Sequence, residues 1–147
     1  MVGVTVTADA RALQRAADRI ARLGVLAEGE LLAQVGAVAE GAVRRRISET
    51  KTAPDGAAWA PWSDRYAAGR RNGKSLLQDE GGLLDSIAYR VRGATVEVGS
   101  NLVYAAVHQL GSEGGDGIPA RPFLGLSDED DADIESVVED FLLAALR

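Results

Sequence analysis

Val2, Val4 and Val6 alternate with Gly3, Thr5 and Thr7, the period-two pattern of a short strand. The period then lengthens. Leu13, Ala16, Ala17, Ile20 and Leu23 recur at helical steps behind Asp9, whose carboxylate can accept from the free amides of a first turn, and Gly24 is a natural stop. A second helix is predicted over about 25–51, with Leu31, Leu32, Val35, Val38, Ala39, Ala42, Val43 and Ile47 as its apolar stripe. Arg44, Arg45 and Arg46 fall near its end, where cations favour the helix dipole. Residues 52–82 lose periodicity and are rich in Gly, Pro and small polar residues. A connection that long is usually functional or disordered, and this one holds both tryptophans, so it should dock on something. Strands are predicted over 87–92 and 95–99, joined by a tight turn at Gly93-Ala94. A short helix over 103–110 ends at Gly111, and a glycine-rich acidic loop fills 112–117. In the last helix Ser127 offers a cap with Asp130 three positions on. Asp131, Asp133 and Glu135 crowd its first turns, and Ile134, Val137, Val138, Phe141, Leu142 and Ala145 form its apolar face. The pattern predicts one α+β domain over 1–147: two N-terminal helices, a small mostly antiparallel sheet, and a C-terminal helix packed on it.

Composition narrows the chemistry. The chain of 147 residues has no cysteine, which removes disulfides, thiolate metal sites and cysteine nucleophiles together. The first residues lack the basic-then-apolar order of a secretory signal, and no apolar run approaches the roughly 18 residues of a membrane span. Net charge is −6, unevenly placed: residues 1–74 carry twelve Lys/Arg against eight Asp/Glu (+4), and residues 75–147 carry four against fourteen (−10). An acidic total argues against a general nucleic-acid binder, since phosphate neutralisation dominates such binding, and no sequence-specific nucleic acid is expected as a partner. Segregated charge suits a protein whose faces meet different neighbours.

No catalytic or metal residue is predicted. His108 is the one histidine, with no nucleophile or orienting acid at a motif spacing, and reads as a structural hydrogen-bonder. The glycines of GSEGGDG lack the Lys and Ser/Thr of a phosphate loop and carry Glu113 and Asp116 instead. Asp79 and Glu80 sit in a polar context unlike that of paired glycosidic carboxylates. Trp59 and Trp62 could stack on sugar faces, but two tryptophans in a Pro-containing loop more often anchor that loop to a core or a partner.

Several local motifs occur in a telling order: PDGAAWAPWS at 54–63, LLQDEGGLLDSI at 76–87, VEVGSNLVYAAVHQLG at 96–111, and IPARPFLGLSDED at 118–130. Together they resemble the phage virion-morphogenesis, or tail-completion, family over about residues 40–147. Leu110 stands where the family has Phe. The resemblance implies a structural part of the virion, with no cofactor. It implies a subunit that caps the head-proximal end of the tail for head–tail joining, made in the host cytoplasm and built into a homo-oligomeric ring, usually of six. Its neighbours would be the tail tube or sheath and the neck or connector proteins, with no membrane. Arg121, Phe123 and Leu124, placed around Pro122, form a rigid apolar hook with a charged fork. With Trp59 and Trp62 they are the candidate interface, while Phe123 and Leu124 could equally pack under the last helix. Two rival readings are a head-side connector or capsid-assembly factor, and a tail component that binds or cleaves cell wall through Trp59 and Trp62.

Overall fold

The computed structural model describes residues 3–7, 11, 14–15, 17–18, 28–69, 74–114 and 117–145. Most of the predicted first helix, including Asp9, Leu13, Ala16, Ile20, Leu23 and Gly24, lies outside the described residues. Arg11, Gln14, Arg15, Ala17 and Asp18 are helical, and Gln14 Nε2 donates to Asp18 Oδ1 at 3.1 Å.

Helix α1 (Glu28–Arg45) has acids in its first turn and arginines in its last, as the dipole favours. Its buried stripe includes Leu31, Leu32, Val35, Ala39 and Val43. The helix runs on as a wider π-helical turn, Arg46–Thr50. Lys51 closes it in a left-handed conformation (φ 55°), with its N–H donating to Arg46 O at 3.0 Å. Arg46 and Ile47 are both buried there.

Strands β1 (Thr5–Thr7), β2 (Ala88–Arg92) and β3 (Thr95–Gly99) form an antiparallel sheet in the order β1-β3-β2. Tyr89 faces Val98 and Val91 faces Val96 across β2 and β3. Alternation therefore puts all four on one side of the sheet, where they join the core with α1. Gly36 permits the close approach of helix and sheet, because a Cβ there would stand 2.2 Å from the Tyr89 ring. Arg90, Arg92, Thr95 and Glu97 take the other face. Gly93 turns the hairpin at φ 57°.

Three short helices follow the chain's irregular stretches: α2 (Asp64–Ala68), α3 (Gly82–Ser86) and α4 (Ala105–Leu110). The terminal helix α5 (Asp128–Ala145) packs on α1. The predicted cap is present: Ser127 Oγ accepts from Asp130 N–H at 3.1 Å, and Asp130 Oδ2 accepts from Ser127 N–H at 2.9 Å.

The fully buried residue of α5 is an acid, Asp130. Its Oδ2 takes Arg46 Nη2 at 2.7 Å, and Arg45 Nη2 lies 3.6 Å from Oδ1. Arg46 Nη1 donates to the carbonyls of Phe123 (2.8 Å) and Gly125 (3.2 Å). Removing one member of a buried pair strands the other charge, at a cost of about 3–5 kcal/mol. Asp130→Ala is expected to lose about that much in urea unfolding. Arg46→Met with Asp130→Leu should recover only part of it, because two carbonyls keep no donor. A loss within about 0.5 kcal/mol for Asp130→Ala would mean that the pair carries no weight.

Candidate functional site: an aromatic cleft beside a buried segment

Residues 121–124 run through the molecule rather than over it. Phe123 has no exposed surface and Leu124 has 3%. Both of their N–H groups donate to Gln109 Oε1 at 3.0 Å, and Gln109 Nε2 returns a bond to Leu124 O at 3.4 Å. Gly125 turns away at φ 137° against Pro54, where a Cβ would meet Pro54 Cγ at 2.7 Å. Arg121 is 6% exposed; its Nε donates to Ala60 O at 2.7 Å and its Nη2 to Pro61 O at 2.9 Å. Trp59 is equally buried, and its Nε1 donates to Pro122 O at 2.8 Å. Of the two roles left open for Phe123 and Leu124, packing is the one this conformation uses. Trp59 and Arg121 face inward too, tying residues 59–61 to residues 121–122.

Trp62 differs. It is half-buried, meets Tyr66 edge-on with ring centroids 5.9 Å apart, and lines an open cleft of about 930 Å³. Tyr66, Tyr104, His108 and Ile118 share that lining, and Tyr66 and Tyr104 are about half exposed. The walls are held from behind. Lys51 Nζ donates to Ser75 Oγ (3.0 Å), Leu76 O (2.9 Å), Gln78 Oε1 (3.1 Å) and Ile47 O, fixing the turn that presents Leu77 and Gln78. That turn holds Leu77 at φ 57°, a costly conformation for a branched side chain. Burial lowers the Lys51 pKa. Ser112 pins the opposite wall: its N–H donates to Ile118 O, and its Oγ accepts from Ile118 N–H, both at 2.9 Å.

His108 stacks edge-on with Tyr104 at 5.9 Å, and its Nδ1 is buried with no hydrogen-bond partner in this structure. Burial, and then the Arg121 charge, push its pKa below the usual 6.5. The ring is therefore neutral near pH 7, and among the described residues no acid or nucleophile is hydrogen-bonded to it. The described residues contain no cluster of metal-ligating side chains. The cleft thus combines braced walls, exposed aromatic rings and a few polar groups. Sequence reasoning named Trp62 and missed Tyr66, Tyr104 and Ile118. The four-residue step from Tyr104 to His108 was the available signal for one of them.

The family model of phage virion morphogenesis matches residues 8–143. The chain belongs to that family. It is 30% identical over 154 aligned residues to "Putative capsid assembly protein G" of Escherichia phage Mu, covering 98% of this chain and 97% of the relative. It is 41% identical over 81 residues to Mu-like prophage FluMu G protein 2 of Haemophilus influenzae, 52% of this chain and 58% of that protein. No solved structure matches. The chain is thus a phage-type virion structural or assembly protein, and the ordered motifs at 54–130 lie within the matched span.

A depressed histidine pKa fixes the sign of one pH effect. The unfolded chain binds a proton near 6.5, and the folded chain binds it only at lower pH. Stability is therefore full above about 6.5 and falls as pH drops toward the folded pKa. His108→Gln should flatten that fall in melting curves taken between about pH 7.5 and 5. An unchanged pH slope would remove His108 as its source.

Proposed function

We propose that this family member is the tail-completion subunit, a closed ring at the head-proximal end of the tail that prepares it for joining to a filled head. The cleft of Trp62, Tyr66 and Tyr104 is then the contact for a neighbouring virion protein, either the tail tube or sheath or the neck. The observation that carries this reading is a set of exposed aromatic rings on a wall braced by internal hydrogen bonds. Such rings bury much area at small entropic cost and dominate protein interfaces. The motif order at 54–130 supplies the tail-completion part, and six copies is the ring size that the resemblance favours. Trp59, Arg121, Phe123 and Leu124 contribute indirectly, by fixing the position of the walls.

A head-side role is the second reading, and the printed name of the phage Mu relative, with its "capsid assembly", favours it. A wall-binding role is less well supported, because Trp59 spends its Nε1 and its ring inside the fold.

Deleting the gene from its phage or prophage separates the first two. Tail completion predicts filled heads and separate, unjoined tails by electron microscopy, whereas a capsid-assembly factor predicts a shortage of heads. Complementation with Trp62→Ala plus Tyr104→Ala should give a folded protein, with melting little changed, and at least about a tenfold loss of infectious particles. Full rescue by that folded variant would take the cleft out of the interface. Phe123→Ala should instead fail by unfolding, at about 3–5 kcal/mol.

A further inference from the structure

We infer that the outer edge of β2, with Arg44, Arg90 and Arg92, is the seat for the acidic α5 of a second copy of this chain. The inference rests on the self-assembly proposed above and assigns it a surface separate from the aromatic cleft. Among the described residues β2 is an edge strand with β3 as its one strand neighbour. An ion pair from α1 covers the first part of that edge. Arg44 Nη2 donates to Ile87 O at 2.8 Å, Arg44 Nε to Glu40 Oε1 at 3.0 Å, and Tyr89 N–H to Glu40 Oε2 at 3.2 Å. The side chains stand in for a fourth strand and close the edge to strand pairing. What they leave outward is positive. Arg90 and Arg92 both pair with Glu97, but their side chains are 39% and 66% exposed against 15% for the acid. Arg44 is 38% exposed against 24% for Glu40. In each pair the arginine side chain is the more exposed partner.

The complementary surface is on the same molecule. α5 holds eight acids and no Lys or Arg, and every acid but Asp130 is exposed. Asp128, Asp131, Glu135 and Glu139 recur at steps of three and four, so they form one stripe, about 16 Å long at 1.5 Å per residue. Along the β2 edge, Ile87, whose carbonyl Arg44 holds, and Arg92 are five residues apart, about 16 Å at 3.3 Å per residue. Within the rows, Arg90 and Arg92 stand about 6.6 Å apart along the strand and Asp131 and Glu135 about 6 Å along the helix. Guanidinium forks facing carboxylates at matched spacing favour one register. The two patches are different parts of one chain, so the contact is head-to-tail and can propagate around a closed ring.

Charge reversal on the full-length protein tests this, with sedimentation velocity at about 50 mM and about 500 mM salt. Arg90→Glu plus Arg92→Glu should weaken self-association about tenfold or more, and Asp131→Lys plus Glu135→Lys should do the same. An equimolar mixture of the two variants should regain it, since each supplies the charge the other lost. Arg92→Glu alone, at the most exposed of the three arginines, serves if the double change disturbs Glu97. Folded variants that assemble like wild type would overturn this contact and leave the ring standing. Arginine variants that lose binding to double-stranded DNA while assembling normally would assign the row to nucleic acid and overturn it as well. A wild-type chain that is monomeric both in solution and in the particle would remove the ring and the contact together.

Discussion

Arg46 and Asp130 meet where three parts of the chain converge: the end of α1, the bend at 123–125, and the first turn of α5. Two charges taken out of water are costly, and their attraction offsets that only if the remaining donors and acceptors are also met. Here they are. The guanidinium spends its other bonds on the carbonyls of Phe123 and Gly125, and the carboxylate takes the Ser127 N–H. Those two carbonyls belong to an irregular buried segment with no strand neighbour, so the side chain of Arg46 does the work a ladder would do. The pair therefore sets the direction of α5 and the course of 118–127 at once.

From that segment the constraint passes to the cleft. Pro122 O holds Trp59 Nε1, and Arg121 holds Ala60 O and Pro61 O. Trp62 follows directly and stands at the rim. On the other wall Lys51, next after the π-helical turn that carries Arg46, organises residues 75–78. Both walls are thus fixed by long side chains bonding to loop carbonyls, with little regular structure. Walls fixed in this way lose little entropy when a partner arrives, which favours affinity at a small interface. The described parts of 52–82 do two things: Trp59, Leu76 and Leu77 pack in or against the core, and Trp62 and Tyr66 line the cleft.

Regular elements were legible because period and cap coincide. The hairpin of β2 and β3 and helix α5 behind Ser127 lie close to where alternation and the capping pattern put them. α2 and α3, of five residues each, are too short to show a period, and α3 arises in a stretch read as the end of a loop. The arginine triplet was read as one feature, a dipole contribution. In the fold its members part: Arg44 reaches the sheet edge, Arg45 stays mostly outside, and Arg46 turns inward. Composition cannot separate three adjacent arginines; only the wider turn at Arg46 does. Phe123 and Leu124 were open between hook and core for a similar reason. Their burial depends on Gln109, 14 and 15 residues back, and on Arg46, 77 residues back from Phe123, separations at which local pattern is silent. Of the candidate interface, Trp62 lines the cleft, and the tyrosines beside it were hidden because the cleft joins distant parts of the chain.

The acids of α5 complete the argument about what the fold alone requires. Asp130 is needed inside, and the acids of the first turn gain from the dipole, an effect confined to that turn. Glu135, Glu139 and Asp140 lie beyond it and are exposed, with no basic residue of the helix to pair with. Acids at this density repel one another and cost the isolated chain some stability. Folding does not call for them, and the helix would pack on α1 through Ile134, Val138 and Phe141 with neutral residues in their place. Glu135 and Glu139, beyond the reach of the dipole, are therefore the acids of the stripe whose presence the single chain does not explain and the proposed contact between copies would.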